Sequence, residues 1–459
     1  MKRLIKPILC VWLSLFVFVS SIYSVKVCAE GDSATDVSEV TYPSPPEITA
    51  KTGILIDADT GAILYDKDMH KKMYPASITK IMTALLTIEN CALDDTFTFT
   101  DEIISTLPYD AAKYGYVSGE QVTIRDLLYV LMLRSANEAA IGLGMTIAGT
   151  EESFGGMMTE RAKAAGALDT NFVNATGLHD DNHYTTAYDM AMIAKDAMKN
   201  TTFSQVWGTA SYIVSPTNIE PDIVKIWNRH EMLVEMQANY YGYAEGGKTG
   251  YTDEAGRTLV TYASRNGMNL ICVVMFSDSE NVYKDTRALF EYGFNNFKKV
   301  SVNGNEKRFG QSDDGYFVSR SNMFNQSGSL LELGDDYVTI PKDASLSQIE
   351  YRLSYDKRDG QDENVIVGIS YFMGEHYLGE TTLKLSDNVP DDSKIGSYKT
   401  EQVNQVSVKE ELPINIWWIV GAVITVLIIV FMLYYLRKTK AKRKLKRERK
   451  KLFKSKHFK

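Results

Sequence analysis

Residues 77–88 read Ser77-Ile-Thr-Lys-Ile-Met-Thr-Ala-Leu-Leu-Thr-Ile88, polar at the start and then apolar at helical spacing. Ile78, Ile81, Met82, Leu85, Leu86 and Ile88 recur at the three- and four-residue intervals of one helix face. Pro75 and Ala76 precede the run, so Ser77 falls near a helix N-terminus and Lys80 lies one turn on, on the same face. An amine thus stands beside a hydroxyl. Upstream, Gly53-Ile-Leu-Ile-Asp57 and Ala62-Ile-Leu-Tyr65 are short β-type runs split by the turn signal Asp59-Thr60-Gly61, which predicts a hairpin. Downstream, residues 127–133 form a second apolar helical run, with Ser135 and Asn137 just past it, as on a loop between helices. After Gly246-Gly247, residues 248–251 read as a strand, followed by β-type runs at 258–262 and 270–276. Helical character returns over 287–297, with Gly293 a tolerated flaw. Helices between two groups of strands predict an α+β domain, an antiparallel sheet with helices packed on it.

Three short polar motifs punctuate this domain in order: Ser77-Ile-Thr-Lys80, Ser135-Ala-Asn137 and Lys248-Thr249-Gly250. Each is weak alone, and singly each has a plain structural reading as helix cap, turn residue or solvated charge. Together and in order they form a signature of serine acyl-transfer enzymes. A serine hydroxyl needs a neighbouring base, and no well-placed histidine stands near Ser77, so Lys80 has to serve. A lysine accepts a proton at neutral pH only if burial and other cations lower its pKa, and Lys248 is the expected neighbour. Ser135 then relays a proton to the leaving amine, and Asn137 holds Lys80 and the substrate amide. Lys248 and Thr249 offer a cation and a hydroxyl to a carboxylate, while Gly250 lets a substrate backbone lie flat on the strand. Backbone amides of Ser77 and Tyr251 are the expected oxyanion hole.

The chain has 459 residues and a formal net charge of −8, enough length for two folded domains. Lys2, Arg3 and Lys6 precede an apolar run over 8–19, and Val27-Cys28-Ala29 suits a cleavage site, so 1–29 reads as a signal peptide. An uncleaved N-terminal anchor is the alternative, because Lys26 lies close to the cut. Residues 30–46 are acidic and Pro-punctuated, and read as a disordered linker. The catalytic domain is assigned to 47–299. At 300–390 the texture changes to alternating runs at 337–340, 349–355, 365–372 and 380–385, which predict a small all-β domain without a catalytic constellation. A polar stalk over 391–413 leads to 414–436, an apolar stretch with Trp417 and Trp418 at its start and Tyr434 and Tyr435 at its end, as expected of a transmembrane helix. The basic tail over 437–459 stays cytoplasmic by the positive-inside rule, which puts everything between signal and helix outside the cell membrane. Subtracting both basic ends leaves about −25 on the exported part, which argues against nucleic acid as its partner. Of four cysteines, Cys10 and Cys28 leave with the signal; Cys91 and Cys272 read as buried small hydrophobes, with a single bridge between them left open.

On these motifs the chain resembles the serine-type D-alanyl-D-alanine carboxypeptidases of the low-molecular-mass penicillin-binding protein family. The segments Gly53-Ile-Leu-Ile-Asp-Ala-Asp-Thr-Gly61, Phe172-Val-Asn-Ala-Thr-Gly-Leu-His179, Lys248-Thr-Gly-Tyr-Thr-Asp-Glu-Ala-Gly256 and Tyr292-Gly-Phe294 are similar to stretches of that family. The resemblance implies a penicillin-binding, β-lactamase-like transpeptidase domain followed by a small β domain. It also implies a Ser77 acyl-enzyme, removal of the terminal D-alanine from peptidoglycan stem pentapeptides, hydrolysis by water, slow-turnover acylation by β-lactam antibiotics such as penicillin, and no cofactor or metal. The expected catalytic residues are then Ser77, Lys80, Ser135 and Asn137, and the substrate-binding residues Lys248, Thr249, Gly250 and Tyr251. Glu138 departs from the family, which commonly has Asp there, and a spanning helix replaces the surface-lying helix of many relatives.

Rival readings are fewer. A class A β-lactamase needs a Glu-x-x-x-Asn segment well before Lys-Thr-Gly, and between Ser135 and Lys248 only Glu235 and Asn239 have that spacing, too close to Lys248. A β-lactam sensor would need more than a short basic tail to signal with. His179 and His183 lack the glutamate of a zinc peptidase. A D,D-endopeptidase uses the same residues, and sequence leaves it open.

Overall fold

The computed structural model describes residues 40–309, 331–356, 362 and 364–385. The signal peptide, the stalk, the 414–436 helix and the basic tail lie outside the described residues. Among those described, no helix is long and apolar enough to cross a membrane.

The expected hairpin is β1 (Thr52–Asp57) with β2 (Ile63–Lys67), and the 3-10 turn Ala76–Thr79 leads straight into α1 (Lys80–Asn90). A short ribbon, β3 (Thr96–Thr98) with β4 (Gln121–Thr123), brackets α2 (Asp101–Ser105). The helical layer continues as α3 (Ile124–Arg134), α4 (Asn137–Ala148), α5 (Glu151–Ala164), α6 (Ala187–Ala197) and α7 (Thr201–Trp207). Thr123, Thr150 and Thr186 cap α3, α5 and α6 by accepting backbone N–H bonds three residues on. A second hairpin, β5 (Ser211–Val214) with β6 (Val224–Trp227), precedes β7 (Ala244–Thr252), β8 (Gly256–Arg265) and β9 (Met268–Ser277). Helix α8 (Val282–Asn296) closes the domain.

The main sheet is antiparallel in the order β2-β1-β9-β8-β7, so the first and last strands of the domain meet at its centre. Period-two alternation sends Ile271, Val273 and Met275 to the helical layer and Leu270, Cys272 and Val274 to α8. Both faces are therefore apolar, which is why β9 reads as one unbroken hydrophobic run. Gly293 corrects its description as a flaw: a Cβ there would stand 2.7 Å from both Leu55 and Leu270, so its absence lets α8 close on the sheet. Cys272 packs on the α8 face and half-buried Cys91 against the opposite, helical cluster; both are free thiols.

The β domain follows as β10 (Phe297–Ser301), β11 (Leu331–Leu333), β12 (Tyr337–Pro341), β13 (Glu350–Ser354), β14 (Val365–Met373) and β15 (His376–Leu385). Its sheet runs β11-β15-β14-β13, while β10 pairs with β12, so one strand passes directly from α8 into this layer. Thr339 donates to buried Asp57 at 2.8 Å and Lys299 meets Asp59 at 2.6 Å, joining it to the β1–β2 hairpin. The linker assignment over 30–46 needs correction at its end. Tyr42 donates to the Ile63 and Leu64 carbonyls and stacks on His376 at 3.7 Å, so the chain is already ordered there.

Candidate active site

Ser77 sits in the 3-10 turn, half-buried, behind Ala76 at φ 50°, a left-handed conformation that a residue with a Cβ adopts only when its surroundings compel it. Those surroundings are visible. The Ala76 carbonyl accepts the Thr79 hydroxyl at 2.8 Å, and Thr79 Oγ1 also bonds His183 Nε2 at 2.8 Å. Gly177 lies against the same carbonyl, where any Cβ would collide with it. On the other side Gly250 of β7 presses on the turn: a Cβ there would stand 2.9 Å from the Ser77 nitrogen and 3.0 Å from the Pro75 carbonyl. Gly250 is thus required by the packing that seats Ser77, a role beyond the flat strand surface read from sequence. Thr258 on β8 completes the seat, donating to the Pro75 carbonyl at 2.8 Å.

Lys80 has no exposed surface. Its Nζ lies 3.1 Å from Ser77 Oγ and donates to Asn137 Oδ1 at 2.7 Å and to the Thr176 carbonyl. Asn174 shapes the turn that aims this carbonyl, accepting the N–H groups of Thr176 and Gly177. Asn137 is the first residue of α4, a correction to its placement on a loop; only Ala136 separates it from Ser135, which ends α3 at φ 61°. Lys248 is 1% exposed and donates to Ser135 Oγ at 3.0 Å and to the Thr249 carbonyl at 2.8 Å. All three motifs converge, and Ser77, Ser135, Thr249, Gly250 and Tyr251 line one cleft of about 830 Å³. Tyr251 turns its side chain outward, donating to Asp253 at 2.8 Å beneath the Arg257 guanidinium.

Burial drives both lysines down. Lys80 is held well below its ordinary range by desolvation, then by the charges of Lys248 and Arg229, with Glu138 opposing. Lys248 is pushed to about 7 by desolvation and Arg229. A neutral Lys80 is a base beside a hydroxyl, and a protonated Lys248 is an electrophilic neighbour for an anion.

Sequence reasoning missed Arg229, which lines the cleft, and His183, which steadies the Ser77 turn from more than a hundred residues away. His183 carries no site role beyond this: one ring nitrogen bonds Thr79, the other accepts the Val173 N–H at 3.1 Å, and burial lowers its pKa to about 4. Exposed His179 pairs with Asp181 at 3.5 Å. The segment 172–179 held the one available signal, through its Asn174-Ala-Thr-Gly177 turn.

The fold and the pairing of cleft-lining Ser77 with buried Lys80 define a serine acyl-transfer enzyme of the DD-peptidase type. The family profile described as D-alanyl-D-alanine carboxypeptidase, peptidase S11, matches residues 39–279. The D-alanyl-D-alanine carboxypeptidase DacA of Haemophilus influenzae is 30% identical over 332 residues, covering 69% of this chain and 77% of that protein. DacF of Bacillus subtilis is 35% identical over 232 residues, covering 49% of this chain and 57% of that one. Among solved structures, penicillin binding protein 5 of Haemophilus influenzae superposes with a TM-score of 0.59 at 26% identity, covering 75% of this chain and 98% of that one. The Streptomyces K15 DD-transpeptidase gives 0.52 at 31% identity, covering 55% of this chain and all of that one. The chain belongs to the D-alanyl-D-alanine carboxypeptidase family of serine peptidases.

Proposed function

We propose that the chain removes the terminal D-alanine from peptidoglycan stem pentapeptides through an acyl-enzyme on Ser77. The observation that carries this reading is the fully buried Lys80 amine 3.1 Å from Ser77 Oγ. Neutral Lys80 takes the Ser77 proton as Oγ adds to the carbonyl of the penultimate D-alanine. The Ser77 and Tyr251 N–H groups hold the developing oxyanion. Ser135, hydrogen-bonded to Lys248, relays to the departing amine the proton that Lys80 has taken up, and the C–N bond breaks to release D-alanine. Thr249 and Lys248 hold the terminal carboxylate, and Asn137 orients both Lys80 and the substrate amide. Water then hydrolyses the ester and returns the proton to Ser77. A β-lactam acylates the same oxygen, but its leaving nitrogen stays tethered and blocks water.

The further parts of the reading are export by the 1–29 signal and anchoring by a single 414–436 helix, with the ectodomain outside and the 437–459 tail in the cytoplasm. Their support is compositional: the apolar stretches, the aromatic flanks and the Lys/Arg-rich end. Incubating the purified ectodomain with a stem pentapeptide and following product masses tests the activity. Loss of one alanine is expected; cleavage confined to cross-linked dimers would make the enzyme an endopeptidase instead.

A further inference from the structure

Glu138, the second residue of α4, is 1% exposed, yet only half of its carboxylate is bonded. Its Oε1 accepts the N–H groups of Tyr114 at 2.7 Å and Gly115 at 2.8 Å, while Oε2 has no hydrogen-bond partner. Asn137 adds a third tie, its N–H donating to the Ala112 carbonyl at 2.9 Å. Residues 110–113 of this loop form one wall of the cleft. The start of α4 therefore grips the wall with backbone bonds and grips Lys80 with the Asn137 side chain.

A buried carboxylate with an unbonded oxygen is costly unless cations lie near. The charged and titratable groups facing Lys80 are Lys248 from β7, Arg229 from the segment after β6, His183 from the loop before α6, and Glu138 from α4. Three of these are cationic or become so on protonation, and Glu138 alone is anionic. Beyond it, Tyr116 is held un-ionised by burial.

We propose that Glu138 is a positioning residue with two separable actions: through Tyr114 and Gly115 it fixes the loop whose residues 110–113 wall the cleft, and it supplies the negative charge that balances buried Lys80. The inference rests on Lys80 being the base. Glu138 favours the protonated amine, so removing its charge makes Lys80 neutral at lower pH. A longer Glu in place of Asp spans to the wall without giving up that charge.

The test is the pH profile of acylation by penicillin, read on folded protein checked by circular dichroism. Glu138→Gln keeps an acceptor oxygen for Tyr114 and Gly115 and deletes the charge, so its acidic limb should move down by about half a pH unit or more. Glu138→Asp keeps the charge and shortens the reach, so its limb should stay in place while KM for the pentapeptide rises several-fold. Lys80→Arg serves as the control and should not acylate. Superimposable acidic limbs for Glu138→Gln and the parent, with Lys80→Arg inactive, overturn this inference alone. Normal acylation by Lys80→Arg would overturn the Lys80 assignment and this inference with it.

Discussion

Two lysines without appreciable exposure sit within one site, and their charge states set its working range. The sign for each follows from its task. Lys80 must be neutral to accept a proton, so kcat/KM rises as pH climbs through its lowered pKa. Lys248 must be protonated to attract a carboxylate, so kcat/KM should fall as pH passes about 7 in the free enzyme. A bound carboxylate stabilises the Lys248 cation, which places the basic limb of kcat at higher pH than that of kcat/KM. Lys248→Arg should retain its charge and lose the neutral-range basic limb; a limb unchanged in that variant would assign it to another group. At this scale the sequence was informative because motif residues lie one to three positions apart, so Ser77 with Lys80 and Ser135 with Asn137 could be paired by eye. His183 and Arg229 could not, since their contacts span large separations and neither carries a local signature.

The elements matter through the close approaches they permit. The 3-10 turn holds Ser77 because three segments press on it: the Thr258 hydroxyl, Gly250 of β7 and Gly177 of the Asn174 turn. Gly250→Ala inserts a methyl group 2.9 Å from the Ser77 nitrogen with backbone on two sides, and over-packing of that kind costs about 1–3 kcal/mol. Displacing the nucleophile by about 1 Å lowers rate on the order of 100-fold. Acylation rate and thermal denaturation measured together check this: a variant with the parent's acylation rate would show that the turn can yield. Strand and helix existence was legible for the apolar runs, whose periods differ between two and 3.6. Boundaries were less so. Helix α8 begins five residues before the expected 287, because Asp278 accepts the N–H groups of Glu280 and Asn281 and starts the turn early. Ser135 interrupts the helical pattern and so hides Asn137's place in a helix, although α4 resumes within two residues.

Among the described residues three cores form, and the main sheet separates two of them: the helical layer that carries Ser77, Ser135 and Asn137, and the α8 layer that stiffens β7 to β9 from behind, while the β domain holds the third. The sheet edge β7 is where the nucleophile and the Lys-Thr-Gly motif meet, so the site forms at the border of the two layers. The antiparallel α+β class was legible because the strands fall in two groups with helices between; the closure of β1 on β9 was not, since pairing across about 200 residues leaves no local mark. All site residues precede the β domain, so a chain cut before Pro413 should keep its kcat/KM within about twofold of the full-length enzyme, and under the proposed 414–436 anchoring it should no longer sediment with membranes. An inactive but folded truncation would give the C-terminal region a part in catalysis. The central claim is a covalent ester on Ser77. Intact-mass measurement of the protein after brief exposure to penicillin, followed by peptide mapping, should show one added penicilloyl group on the peptide carrying Ser77, and none in Ser77→Ala; a modified peptide elsewhere, or an unchanged adduct in Ser77→Ala, would contradict the account.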